Sequence, residues 1–266
     1  MGRNQDDKRK EREIPVMNDK KIFFFVSLLL LLLSAAPSFA ADMAGVWLAT
    51  VTVNKVGEVN NTAAGPTATG VGFPLRLLLH VDATGAVRLL KEVIIMNDAA
   101  TSKTVVLADS ELITSAYSGA VLRGSTMVGL RASAVGYDFS GSSTNCAGGL
   151  NSSGTVTCAF TLLPADATNP FLHRFHPDHD NLNDARTAPF IEAYQVVRGM
   201  KLAFAGRYPA NPDEPALSGA SIPPGWGTTD LGGTYGETFD GLHKQTLTVA
   251  GWFTMKKVAA IADLRK

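Results

Sequence analysis

From Phe73 to Val81 the chain reads FPLRLLLHV, and the period of that stretch limits the folds open to it. Leu75, Leu77, Leu79 and Val81 fall on one side of an extended backbone, while Arg76, His80 and Asp82 fall on the other, the two-residue period of a half-buried strand. Asp82-Ala83-Thr84-Gly85 then reads as a tight turn, because Gly85 can take the left-handed conformation that a bulged hairpin needs. Val87, Leu89 and Val93 carry the return strand, so the unit extends to Ile95. His80, on its polar face, offers a ligand nitrogen; a cross-strand hydrogen bond or plain exposure is the simpler account.

The same period recurs on both sides of this hairpin. Gly45 to Val53 is rich in β-branched residues and reads as a strand with Trp47 packed inward. Gly57 to Gly72 has no period and reads as a loop, carrying the formal glycosylation sequon Asn60-Asn61-Thr62. After a polar turn over Asn97 to Lys103, short strands are expected at Thr104–Leu107, Glu111–Thr114 and Met127–Phe139, then a loop over Ser140 to Gly154. Thr155 to Leu163 resumes the pattern, with Val156, Cys158, Phe160 and Leu162 on one side. In Pro189 to Phe204 one strand face holds Val196, Met200, Leu202 and Phe204 together with Arg198.

Gly206 to Gly233 contains five prolines and reads as a long loop, a lid or covering arm, since proline cannot serve a central strand. Thr234–Phe239 and Thr246–Lys257 close the pattern as two strands joined through Asp240-Gly241, with a bend or bulge expected at Gly251. Ala259 to Lys266 is left as a short helical tail or a frayed end. No helical apolar period survives, so the expected fold is all-β: an antiparallel sandwich or partly closed barrel of roughly eight to ten strands with long loops. A composition of 45% hydrophobic and 18% charged residues is enough for a single core over residues 41–266.

Residues 1–40 stand apart. Ile22 to Leu33 (IFFFVSLLLLLL) follows Lys20 and Lys21, is too short for a membrane span, and ends in small residues that place signal-peptidase cleavage after Ala40. Met17 is an alternative start. These forty residues hold seven of the 24 Lys/Arg and five of the 24 Asp/Glu, leaving 17 basic against 19 acidic and a net charge of −2. Nucleic acid is therefore not an expected partner, since phosphate binding needs a basic surface. An extracytoplasmic location (periplasmic, cell-surface or secreted) is expected, with no membrane span left after processing. Cys146 and Cys158, the only cysteines, are expected to form one disulfide in such a compartment, worth about 2–3 kcal/mol.

Chemistry looks concentrated in NPFLHRFHPDHDNLND, Asn169 to Asp184, which holds three of the five histidines. His173, His176 and His179 with Asp178 and Asp180 are the candidate ligands for one divalent metal such as Zn. A strand would point His176 away from the other two, and Pro177 interrupts a helix, so the three converge only in an irregular loop. The spacing is neither H-E-x-x-H nor a calcium loop. The simpler account makes Asp178, Asp180 and Asn181 turn formers, with Phe171 and Phe175 in the core.

Two weaker constellations remain. Trp226, Tyr208 and Tyr235, with Trp252, are candidates for a sugar-stacking ligand platform, although buried aromatics are commoner. Glu192, Glu237, Asp230 and Asp240 offer carboxylates for glycoside cleavage, although surface acids are commoner still. There is no G-x-S-x-G elbow, glycine-rich phosphate loop or lone cysteine.

GVWLATVTVNKV, FPLRLLLHVDATGAVRLLKEV, NPFLHRFHPDHDN and GGTYGETFDGLHKQTLTVAGWFTMKKV together resemble a module of large secreted or surface proteins of bacteria. The Gly-x-Trp opening at Gly45 and the Gly-x-Phe-x-x-Lys close at Gly251 are also similar to the ends of lipocalin-like or avidin-like barrels. The first resemblance implies an exported domain and brings no activity with it. The expected role is a non-enzymatic binding or structural module with a glycan or surface-protein partner. The alternatives are a metal-dependent hydrolase centred on the His/Asp stretch and a barrel for a small apolar ligand. On the metal reading, protein purified without a polyhistidine tag carries about one equivalent of metal and His176→Ala releases it; elemental analysis finding under about a tenth of an equivalent removes that reading.

Overall fold

The computed structural model describes residues 42–58, 66–98, 101–115, 131–151, 153–163, 166, 169, 195–205, 224–242 and 245–265. Its elements are β1 (Gly45–Glu58), β2 (Thr67–Val81), β3 (Val87–Leu90), β4 (Glu92–Asp98), β5 (Lys103–Leu107), α1 (Ser110–Ser115), β6 (Arg131–Ser133), β7 (Ser143–Gly148), β8 (Thr155–Leu162), β9 (Val196–Phe204), β10 (Asp230–Asp240), β11 (Leu247–Ala259) and β12 (Leu264–Arg265). The fold is all-β, and the barrel is closed: β1-β11-β10-β9-β8-β7-β3-β2 run in a ring, antiparallel throughout. Each barrel strand pairs with the next one along the chain, and β11 returns to β1. This up-and-down meander is interrupted once, between β3 and β7.

The interruption builds a second sheet, ordered β12-β5-β4-β6. The chain bends at Lys91, so β4 leaves the barrel wall that β3 belongs to. Val93, Ile95, Val106 and Ala108 of the second sheet pack on Val46, Leu78 and Leu90, which face outward from the barrel. Inside the barrel, Trp47, Ala49, Val51, Leu77, Leu79, Leu202, Phe253 and Met255 form the main core. Thr50, Thr157, Lys201, Thr234 and Lys256 face out, so the alternation is apolar inside and polar outside, the reverse of a lipid-spanning barrel. Among the described residues no helix is long and apolar enough to cross a membrane.

Local chemistry accounts for the turns. Asp82 Oδ1 accepts from Thr84 N (2.8 Å), Thr84 Oγ1 (2.6 Å) and Ala86 N (3.0 Å), and Gly85 takes a φ of 87°. Burial alone would raise the Asp82 carboxyl; those hydrogen bonds lower it below the usual range. At Gly251 the register between β1 and β11 slips, from Val53↔Gly251 to Lys55↔Ala250, leaving Asn54 as a bulge. A Cβ on Gly251 would collide with the Thr52 carbonyl, so the bend expected there has its cause in a close backbone approach.

Several expectations need correction. The loop expected over Gly57 to Gly72 shrinks, because β1 runs on to Glu58 against β11 and β2 already begins at Thr67. Glu111–Thr114 lies in helix α1: Asp109 Oδ1 accepts from Glu111 N (2.8 Å) and Leu112 N (3.0 Å) as an N-cap, and four residues of pattern do not separate a strand from a helical turn. Of the strand expected over Met127–Phe139, the described part is β6 alone, followed by an irregular segment. Cys146 belongs to β7 rather than to a loop. The pairing of Ala147 with Thr157 sets Cys146 opposite Cys158, at disulfide distance with a Cα separation of 4.5 Å. β10 starts at Asp230, so the proline-rich loop is shorter than its sequence pattern, and its residues 206–223 lie outside the described residues.

The tail after Ala259 is neither helical nor frayed. Leu264 and Arg265 add a parallel strand to β5, and Ile261 covers His80, whose Nε2 lies 3.0 Å from the Ile261 carbonyl. His80 is 0% exposed, not on an open polar face, and its Nδ1 has no partner among the described residues. Burial therefore holds the imidazole below its ordinary pKa; the Ile261 carbonyl and the charges of Asp82 and Asp263 oppose this, and Arg88 adds to it. A lowered native value means that the unfolded chain takes up the proton first. Stability is thus full above about pH 6.5 and falls as the pH drops below it. Urea unfolding at pH 7.5 and 5.5 should give a lower midpoint at 5.5, and His80→Gln should narrow that gap.

Candidate functional site

The inner faces of β9 and β10 carry one charge each. On β9 the inward residues are Val196, Arg198, Met200, Leu202 and Phe204; on β10 they are Leu231, Gly233, Tyr235, Glu237 and Phe239. The register sets Arg198 opposite Phe239 and Glu237 opposite Met200, so the two charges are diagonal neighbours inside the barrel. Arg198 Nε donates to Glu237 Oε1 at 2.7 Å, and the side chains are 10% and 1% exposed. Tyr235, on the same strand, donates its hydroxyl to Glu237 Oε2 at 2.5 Å.

The fourth member arrives from outside the ring of strands. After β6 the chain bridges from Val135 to Arg76 and then buries Tyr137 and Phe139. The Tyr137 hydroxyl donates to Glu237 Oε1 at 3.1 Å. The Arg198 guanidinium lies 4.2 Å from the Tyr137 ring centre, 4.8 Å from Phe239 and 5.3 Å from Phe160. Aromatic faces thus stabilise the cation in its mostly buried position.

The balance of burial and neighbouring charge shifts Arg198 and both tyrosines upward. Burial opposes the charged guanidinium, but the hydrogen bond and charge of Glu237 outweigh it and raise Arg198 further. Burial first, then the neighbouring carboxylate, pushes the Tyr137 hydroxyl far above its usual value. Tyr235 moves the same way through burial, with Tyr137 and Glu237 adding to it. Both tyrosines therefore stay neutral donors at any ordinary pH, and Glu237 accepts three hydrogen bonds.

The cluster sits toward the end of the barrel where β1 finishes and β2 begins. Phe73 pairs with Val53 and shares its inward face, yet is 55% exposed. Val56 pairs with Val249 beside it and is 37% exposed. The opposite end is filled. Trp47 is 0% exposed and donates Nε1 to the Met43 carbonyl at 2.8 Å, and the Lys257 amine lies 5.1 Å from its ring centre while donating to the Asp42 carbonyl.

The residues singled out by sequence separate into three groups. His173, His176, His179, Asp178, Asp180, Tyr208 and Glu192 lie outside the described residues. Among the described residues no group of three His, Cys, Asp or Glu could hold a metal ion. Tyr235 is buried inside the barrel, whereas the ring of half-buried Trp226 lies over Gly232, on the outer side of the same strand. The sheet separates them, so they form no common stacking platform.

Trp252, opposite Thr52 and Thr234, is also on the outer side. Glu237 is not a surface acid, and Asp230 pairs with Lys256 at 2.8 Å, a bond that lowers its carboxyl pKa. Asp230 and Glu237 stand seven residues apart on one strand, about 23 Å, too far to act on one glycosidic bond.

The Arg198–Glu237 cluster was missed as a site, although its signal was present. Arg198 falls on the apolar face of its strand by simple alternation, and a buried charge requires a partner of opposite sign. Neither a protein-family model nor a curated protein sequence matches this chain.

Removing one partner strands the other charge, which costs about 3–5 kcal/mol. Arg198→Met and Glu237→Met should each lower the melting temperature by on the order of 10 °C. In a double-mutant cycle, Arg198→Met with Glu237→Met should fall short of the sum of the single effects by more than about 1 kcal/mol. Additive losses would show that the two charges are not coupled.

Proposed function

We propose that this chain is an exported, non-enzymatic binding module that takes its ligand or partner at the β1–β2 end of the barrel. The observation that carries this reading is Phe73, an inward-facing aromatic left 55% exposed at one end of a barrel whose other end is packed by Trp47. An apolar group in that position loses water when something covers it, at a gain of about 25 cal/mol per Å². The buried carboxylate gives further support. Glu237 spends both oxygens on Arg198, Tyr137 and Tyr235, which leaves it poorly suited to serve as a general base.

Export is supported by the apolar run Ile22–Leu33 with the small residues before Ala40, and by the cysteine pair held at disulfide distance across β7 and β8. Expressed with its own N-terminus and recovered from the extracytoplasmic fraction, the protein should have the intact mass of residues 41–266 with both thiols oxidised. Pulldown on glycan and surface-protein panels should retain a partner without chemical change. Cytoplasmic retention with two alkylatable thiols would refute export, and steady turnover of any retained substrate would refute the non-enzymatic role.

A further inference from the structure

Arg198 has hydrogen-bonding capacity that the barrel does not use. Its Nε is committed to Glu237, but no described residue accepts a hydrogen bond from Nη1 or Nη2, although the side chain is nine-tenths buried. Among the described residues, four N–H bonds of a guanidinium held in place by three aromatic rings thus have no acceptor. An oxyanion meets two such donors at once with matching geometry. The Arg198–Glu237 pair is itself neutral, so one added negative charge is what the free donors favour. Toward the same end of the barrel stand the exposed Phe73 and Val56, with Val249 beside them.

We propose that this end of the barrel binds a small amphipathic carboxylate, its head on Arg198 Nη1 and Nη2 and its apolar tail against Phe73 and Val56. The site deepens the binding reading above and rests on it. Glu237, Tyr137 and Tyr235 act as positioning residues: Glu237 occupies Nε and the two tyrosine hydroxyls fix Glu237, which holds the guanidinium by that edge. A phosphate dianion suits the site less well, because only one donor-rich cation serves it and Glu237 lies beside that cation. A neutral alcohol of the same length gains the apolar contacts but not the charge-assisted pair.

Isothermal titration of the full-length protein with decanoate and with decanol, the same chain without the charge, tests this directly. Decanoate should bind at least about tenfold more tightly. Arg198→Lys keeps a cation for Glu237 but loses the planar fork, and should weaken decanoate about tenfold without changing decanol. Should that variant not fold, Phe73→Glu places a like charge at an exposed position and should weaken decanoate by a similar factor. Equal affinity for the two ligands, or wild-type decanoate affinity in a folded variant of either kind, overturns the site. If decanoate does not bind while a glycan or protein partner is retained, the carboxylate site is wrong and the binding reading stands. Turnover of a retained substrate overturns the reading itself.

Discussion

Closure of the ring through β1 is the constraint on which the other features rest. β1 is hydrogen-bonded along most of its length to β11 on one side and to β2 on the other, so the first and last barrel strands meet and the sheet has no terminal edge there. That pairing demands close backbone approach. At Gly45 and Gly251 a Cβ would run into the backbone carbonyl of the neighbouring strand, and at Gly251 the Asn54 bulge adds the curl that a barrel of this size needs. An open sandwich of the same strands would face none of these demands.

Once the ring is closed, its inner face becomes a low-dielectric space, and every group there must find its partners within it. Trp47, Leu77, Leu79, Phe253 and Met255 do so by packing alone. Arg198 and Glu237 do so as a pair, with two tyrosine hydroxyls completing the carboxylate. A buried pair of this kind adds little net stability over apolar residues of the same size; its effect is to fix which groups face one another. Here it fixes the guanidinium against three rings and ties the Tyr137 segment into the barrel. The site proposed at the β1–β2 end follows from that fixed geometry.

How much of this could be read from the chain alone differs from element to element. The hairpin around Asp82–Gly85, the inward face of β8, the run from Val196 to Phe204 and the two closing strands all follow from alternation, because a strand's two faces are set by its own residues. The helix at Ser110–Ser115 was not legible, since the Asp109 cap outweighs a four-residue pattern that suits either state. The strand position of Cys146 was hidden behind a Gly/Ser-rich composition that reads as loop, and pairing with β3 and β8 overrides it. His80 looked like an open polar residue because the tail that covers it lies at the other end of the chain.

By itself, then, the sequence determined the strand period, the faces of most strands, the Asp82 turn, the bend at Gly251 and the two cysteines available to pair, all local properties of short segments. Only the tertiary structure decided that the strands close into a ring, that Arg198 meets Glu237 39 residues away and Tyr137 joins it from 100, and that His80 lies under Ile261, 181 residues on. The physical reason is that a strand's own residues set which way each side chain points. What that side chain meets depends on the register of neighbouring strands, which the hydrogen bonds of the whole ring settle together.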